Sequence, residues 1–238
     1  MKSCKIHDLQ KKMRILKNPT KANVLAGFFK TGKGQYGEGD KFLGLTAVQI
    51  RRLAKEYWEI PQNDILQILE SKFHEERLAA LLVMVFQFEK GNEKTRKNIF
   101  NLYLKNTNRI NSWDLVDLTA HRIVGAYLSD KSKDILCKLV ESQSLWERRI
   151  AILATFYDIK LGRSGTTLLL AEKLLKDKED LMHKAVGWML REVGKRCSQK
   201  EEEVFLQKNW HKMSRTTLRY AIERFDEKKR LQYLKRKL

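Results

Sequence analysis

Two prolines and three cysteines are spread over 238 residues, and each scarcity removes a class of answer. Cys4, Cys137 and Cys197 are odd in number and far apart, which argues against both a disulfide framework and a zinc site. The five histidines form no His-x-x-x-His pair, so neither a metal nor any other cofactor is expected. No apolar run approaches the ~18 residues of a membrane span. The opening Met1-Lys2-Ser3-Cys4-Lys5 has no hydrophobic signal region, which makes a cytoplasmic location the expectation. With prolines only at positions 19 and 61, and no sustained apolar/polar alternation closed by hairpin turns, strands have little place.

Negative charge is the other shortage. Lys and Arg number 48 against 29 Asp and Glu, for a formal net charge of +19. Such a surface suits a polyanion, nucleic acid first and an anionic membrane surface second. With 42% apolar residues the chain can still bury a substantial core, as one domain or as a continuous array.

What is present is helical spacing. Residues 3–17 and 23–30 suggest short helices, and Thr46-x-x-Gln49 is a capping-box start for the next. Residues 62–71, 73–89, 93–106, 109–127, 131–142, 145–161, 165–177, 179–196, 199–211 and 215–234 each read as helix. Ser144-x-x-Glu147 and Ser198-x-x-Glu201 repeat the capping pattern. The one long interruption lies around Thr31–Asp40, and six of the twelve glycines fall between Gly27 and Gly44. A phosphate cradle is a poor fit there: no Walker pattern or preceding strand occurs, and Glu38 and Asp40 would repel phosphate. A structured loop lining a site is expected instead. One domain is expected, with N-terminal helices and the Gly-rich loop over 1–45 and repeats plus a basic C-terminal helix over 46–238.

The repeats are visible as a period. Arg77, Trp113, Arg149, Lys184 and Arg219 align, with separations of 36, 36, 35 and 35 residues. Leu81, Asp117, Leu153, Trp188 and Glu223 form a second row four residues on, and Asn108, Ser144 and Ser214 fit as N-caps five residues before the first. A period near 35 spanning a helix pair predicts a right-handed α-solenoid of HEAT-like pairs, an all-α superhelix. Equivalent positions on successive repeats would line one surface. The first row would then be a strip of cations in four of five repeats, broken at Trp113, and suited to phosphate backbone through Arg77, Arg149, Lys184 and Arg219.

The break in that strip is the informative stretch, Asn111-Ser112-Trp113-Asp114-Leu115-Val116-Asp117-Leu118-Thr119-Ala120-His121-Arg122. Trp113, Asp117 and His121 fall four residues apart on one helical line, and Asp117, like Trp188 two repeats later, departs from the small or aliphatic residues that packing would use. Together with Leu145-Trp146-Glu147-Arg148-Arg149-Ile150-Ala151-Ile152-Leu153 and Ala185-Val186-Gly187-Trp188-Met189-Leu190-Arg191-Glu192, this stretch resembles the AlkD family of bacterial alkylpurine DNA glycosylases. Phe28-Phe29-Lys30-Thr31-Gly32 and Tyr36-Gly37-Glu38-Gly39-Asp40 are similar to that family as well, and the resemblance covers nearly the whole chain.

The resemblance implies hydrolysis of the N-glycosidic bond of N3- and N7-alkylated purines, such as 3-methyladenine and 7-methylguanine, in double-stranded DNA. It implies catalytic roles for Asp117, Trp113 and Trp188, a backbone contact for Arg149, and a monomer acting at the nucleoid without a metal or membrane partner. A cationic purine is already a good leaving group, so one carboxylate at the oxocarbenium-like sugar suffices where ordinary glycosidases use two. The competing expectation is a non-catalytic HEAT-like scaffold for nucleic acid, which would need the charge but not Trp113, Asp117 and Trp188 together. A glycosylase-lyase with Lys184 as nucleophile and an Asp117–His121 acid/base pair are lesser readings.

Overall fold

The 35-residue period becomes pairs of helices. The computed structural model describes residues 4–235, and the tail cations Arg236 and Lys237 lie outside them. Among the described residues strand pairing is confined to one isolated bridge between Lys41 and Phe73. The fold is an all-α solenoid of HEAT-like helix pairs. Its chain gathers into two compact units, Met1–Thr119 and Ala120–Leu238. The 45/46 division expected from composition runs inside the first of these.

The first unit comprises α1 (Cys4–Ile15), α2 (Pro19–Phe28), α3 (Ala47–Glu56), α4 (Gln62–Leu69), α5 (His74–Lys90), α6 (Glu93–Lys105) and α7 (Trp113–Ala120) up to the boundary. Asn18 caps α2 by accepting from the Lys21 amide, with Pro19 at its first position, so this helix begins earlier than residue 23. At α3 both halves of the Thr46–Gln49 capping box form. α5 is buried on every side from His74 to Val85, as a central helix must be, with α3, α4 and α6 against it. Leu81 and Leu78 sit in that core, each stabilising the unit by about 1.5–3 kcal/mol through removal of its side chain from water.

The second unit opens on a π-helical turn, His121–Gly125, then α8 (Ala126–Leu128), α9 (Asp134–Val140), α10 (Leu145–Ala154), α11 (Phe156–Lys160), α12 (Gly165–Leu174), α13 (Asp180–Arg196), α14 (Gln199–Asn209), α15 (Arg215–Ala221) and α16 (Glu227–Leu234). α13 is its central helix, against α10, α12, α14 and α15. At Gly125 a Cβ would come within 2.1 Å of the Ala154 carbonyl oxygen, so only glycine allows this approach.

Three expected helices are interrupted, each for a local reason. The span 109–127 starts only at Trp113, because Asn108 lies in a 3-10 turn (Thr107–Arg109) and is not the N-cap expected. Ser144 and Ser214 do cap, accepting from the Glu147 and Thr217 amides. The span 145–161 breaks at Thr155, whose hydroxyl donates to the Ile152 carbonyl at 2.7 Å. The span 215–234 is divided because Asp226 caps a new helix, accepting from the Lys229 amide at 2.9 Å.

Candidate functional site

In the first unit the site is built from the Gly-rich loop inward. α2 ends at Phe28; Phe29 is buried, and Lys30 takes a left-handed conformation (φ 53°) that turns the chain. The loop then folds back so closely that a Cβ on Gly37 would lie 2.4 Å from the Phe29 carbonyl oxygen. Beyond it the chain is sewn onto the start of α5. The Lys41 amide donates to Lys72, the His74 amide to Lys41, and the Leu43 and Gly44 amides to the buried Glu75 carboxylate at 2.9 and 2.8 Å. Those amides are taken by Glu75, and within the loop the Gly34 amide donates to the Glu38 carboxylate at 2.7 Å.

This folding places Asp40 above the start of α5. Its carboxylate accepts from Arg77 Nη2 at 2.8 Å on each oxygen and lies 3.1 Å from His74 Nδ1. On the other side His74 Nε2 lies 2.8 Å from Asp114 Oδ2. Burial alone would push His74 down, but its bonds to Asp114 and Asp40 outweigh that and hold it at about 9, so the ring is an imidazolium at neutrality. Burial would raise Asp40; His74 and Arg77 instead keep its carboxyl below the usual range.

Against this ionic cluster rests an aromatic stack. Phe29 lies 4.7 Å from His74 and carries the half-buried indole of Trp113 flat on its ring, 5.3 Å away at 10°. Phe28, 63% exposed, meets the same indole edge-on at 5.9 Å. One turn along α7 from Trp113 is Asp117, also half-buried. Below, the fully buried Tyr103 shares a hydrogen bond with Thr119 at 2.9 Å; burial, with the Asp117 charge adding to it, pushes its phenol well above the ordinary value.

The cationic row does not survive as one solvent-facing strip. Arg77 is only 4% exposed; its guanidinium is spent on Asp40, the Ser71 carbonyl and Asn111, so the phosphate contact expected of it is corrected to a structural one. Arg149 is likewise 4% exposed and donates to the Leu181 carbonyl at the start of α13, which ties α10 to α13. Lys184 and Arg219 do come together, around a groove of about 520 Å³ lined also by Thr216, Tyr220, Glu223 and Arg230. Lys184 pairs with Asp180 at 2.7 Å, whereas Arg219 is exposed. Trp188 is half-buried and tilted against Phe156 at 5.9 Å and 46°. Phe156 is a small hub: the His121 ring meets it edge-on at 5.4 Å, and Lys160 and Arg196 approach its ring at 4.7 and 5.4 Å. Among the described residues no group of three or more His, Cys, Asp or Glu could hold a metal ion, and no helix is long and apolar enough to cross a membrane.

A family model described as DNA alkylation repair enzyme matches residues 9–225. The chain belongs to that family. Membership of the DNA alkylation repair family assigns it to repair of alkylated DNA as an enzyme, with DNA as partner. Solved structures share the fold, among them the following two. One, described as a predicted DNA alkylation repair enzyme from Enterococcus faecalis, matches with a TM-score of 0.66 at 16% identity over 89% of this chain and 97% of that one. The other, AlkD2 from Streptococcus mutans, gives 0.56 at 16% identity over 95% and 100%. No curated protein matches the sequence.

His74, Asp40, Asp114 and Phe29 were not singled out by sequence reasoning. Asp40 and Asp114 lie 34 and 40 positions from His74, so no helical or motif spacing joins the three. The one available signal was that Phe29, Asp40 and Asp114 all fall in the segments similar to the AlkD family.

Proposed function

We propose that this member of the DNA alkylation repair family is a monofunctional DNA glycosylase, hydrolysing the N-glycosidic bond of cationic N3- and N7-alkylated purines in duplex DNA. The observation that carries this reading is the pairing on α7 of Trp113, braced flat on buried Phe29, with half-buried Asp117 one turn along. An indole fixed by a stack and followed by a carboxylate offers two electron-rich groups on one helical line. That is what an oxocarbenium-like sugar requires once the positively charged base begins to leave.

In this mechanism Asp117 faces the developing cation at the sugar and orients the attacking water. The alkylated purine departs without a general acid, because it loses its formal charge on leaving. Trp113 and Trp188 pack against the deoxyribose and backbone of the lesion. Lys184 and Arg219, sharing one groove, take phosphates. Arg149 acts as a brace through Leu181, holding the helix that contributes Trp188. Lys184 serves phosphate and not a lyase step, in keeping with its ion pair to Asp180.

The test is release of free base from N-methylated duplex DNA by the parent and by Asp117→Asn, with uncatalysed depurination subtracted. The parent is expected to release base, and the Asn variant to bind the same DNA with nearly unchanged affinity while releasing far less. Equal rates would make Asp117 an ordinary half-buried acid. A non-catalytic nucleic-acid scaffold would then be the better account.

A further inference from the structure

We infer that His74, clamped between Asp40 and Asp114, is a positioning residue that sets the rotation of α7 and with it the direction of Trp113 and Asp117. The inference rests on the reading of those two residues given above. α7 is eight residues long, and its first turn carries Asp114. That carboxylate is buried and held through Oδ2 by His74, while Oδ1 has no hydrogen-bond partner among the described residues. One side chain thus fastens the start of the helix from the side. Successive residues are turned by about 100° around a helix, so Asp117 lies within about 40° of Trp113, and fixing Asp114 fixes both.

The same imidazole reaches Trp113 by a second route. It stacks on Phe42 at 4.8 Å and 22° and lies 4.7 Å from Phe29, whose ring supports the indole. Arg77 on α5 adds a third tie, donating to Asp40 and to Asn111 two residues before α7. All three lines start in the first turn of α5; two end in the first turn of α7 and the third just before it.

The clamp works only as a cation. Two carboxylates on the two ring nitrogens need both nitrogens to donate, which a neutral imidazole cannot do. The charged groups facing His74 are Asp40 from the loop, Asp114 from α7 and Arg77 from its own helix. Its neighbours Glu75 and Glu76 are committed elsewhere, to the Leu43 and Gly44 amides and to Gln10, Ser71 and Arg14. A positive charge on the first residue of a helix opposes the helix dipole, so this one is not there to stabilise α5. With the folded value raised from 6.5 to about 9, the stabilisation is complete below 6.5 and is lost as pH rises through about 9.

The experiment follows two NMR signals of the unsubstituted protein, the His74 ring and the Trp113 indole, from neutrality through about 9, with base release measured on the same samples. Both signals should move with one midpoint near 9, and base release should fall with them. In His74→Gln, which keeps one donor but no charge, the indole should sit in its altered position at all pH values, and base release at neutrality should drop on the order of tenfold. An indole indifferent to the His74 titration, or a His74 midpoint near 6.5, would overturn the inference. If the two signals titrate together while no base is released at any pH, the clamp stands and the proposed function fails. The titration of the parent needs no variant to fold.

Discussion

Trp113 and Trp188 are both half-buried indoles, but their units hold them in different ways. Trp113 lies flat on a buried ring, and behind that ring stand two carboxylates sharing one imidazolium. Trp188 leans at 46° on Phe156, itself half-exposed, and the charges gathered there are Lys160 and Arg196. Behind Trp113 the two carboxylates are matched by His74 and Arg77, and the carboxylate on the indole's own helical line is Asp117; beside Trp188, Arg196 is paired with Glu192 and Lys160 lies over the Phe156 ring. A flat stack followed one turn on by the Asp117 carboxylate suits a developing cation at a sugar, where error of a fraction of an ångström is costly. A tilted contact beside Lys160 and Arg196 suits a phosphate backbone, which tolerates adjustment.

The largest effect expected from this difference comes from charge. Asp117→Asn should lower single-turnover base release on the order of 10²-fold or more, while binding to alkylated DNA changes little. Trp188→Ala should cost less in the same assay, since it acts through packing against the lesion. If Trp188→Ala proved the more damaging, the division of labour between the units would be reversed.

Next comes the ionic support. Arg77→Met leaves Asp40, whose side chain is 9% exposed, without its guanidinium and should destabilise the protein by about 3–5 kcal/mol in urea unfolding, with no change in the salt dependence of DNA binding. In the second unit the comparable weak point is backbone packing. Gly125→Ala drives a methyl into the Ala154 carbonyl and should cost about 1–3 kcal/mol in thermal unfolding. A variant of either kind that melted like the parent would show that its unit tolerates more slack than this packing allows.

The solenoid was legible because period and caps come from local chemistry: Ser144 and Ser214 start helices wherever they occur. Trp113 and Asp117 stood out because their types break a pattern. Arg77 was misread for the complementary reason. Its repeat position is equivalent to that of Arg219, but equivalence says nothing of what covers a residue. The loop preceding α3 belongs to no helix pair and brings Asp40 over Arg77, a contact across 37 residues that no periodicity encodes. Asn108 failed as a cap because the chain there spends a turn as 3-10 helix before α7 begins.

The smallest expected effect sharpens the comparison most directly, because it sets Arg219 against Arg77 in matched substitutions. Arg219 is exposed on a groove it shares with Lys184 and Arg230, and exposed substitutions usually stay within about 0.5 kcal/mol of the parent. Arg219→Met should therefore melt normally, yet lower the slope of log affinity against log salt by about 0.9, as loss of one phosphate contact requires. Lys184→Met should do less, since Asp180 already draws on its charge. The readout is binding to undamaged duplex across a salt series, where no chemistry intervenes. A slope unchanged by Arg219→Met would mean that the groove meets no phosphate. The phosphate contacts of the second unit would then lie outside this groove.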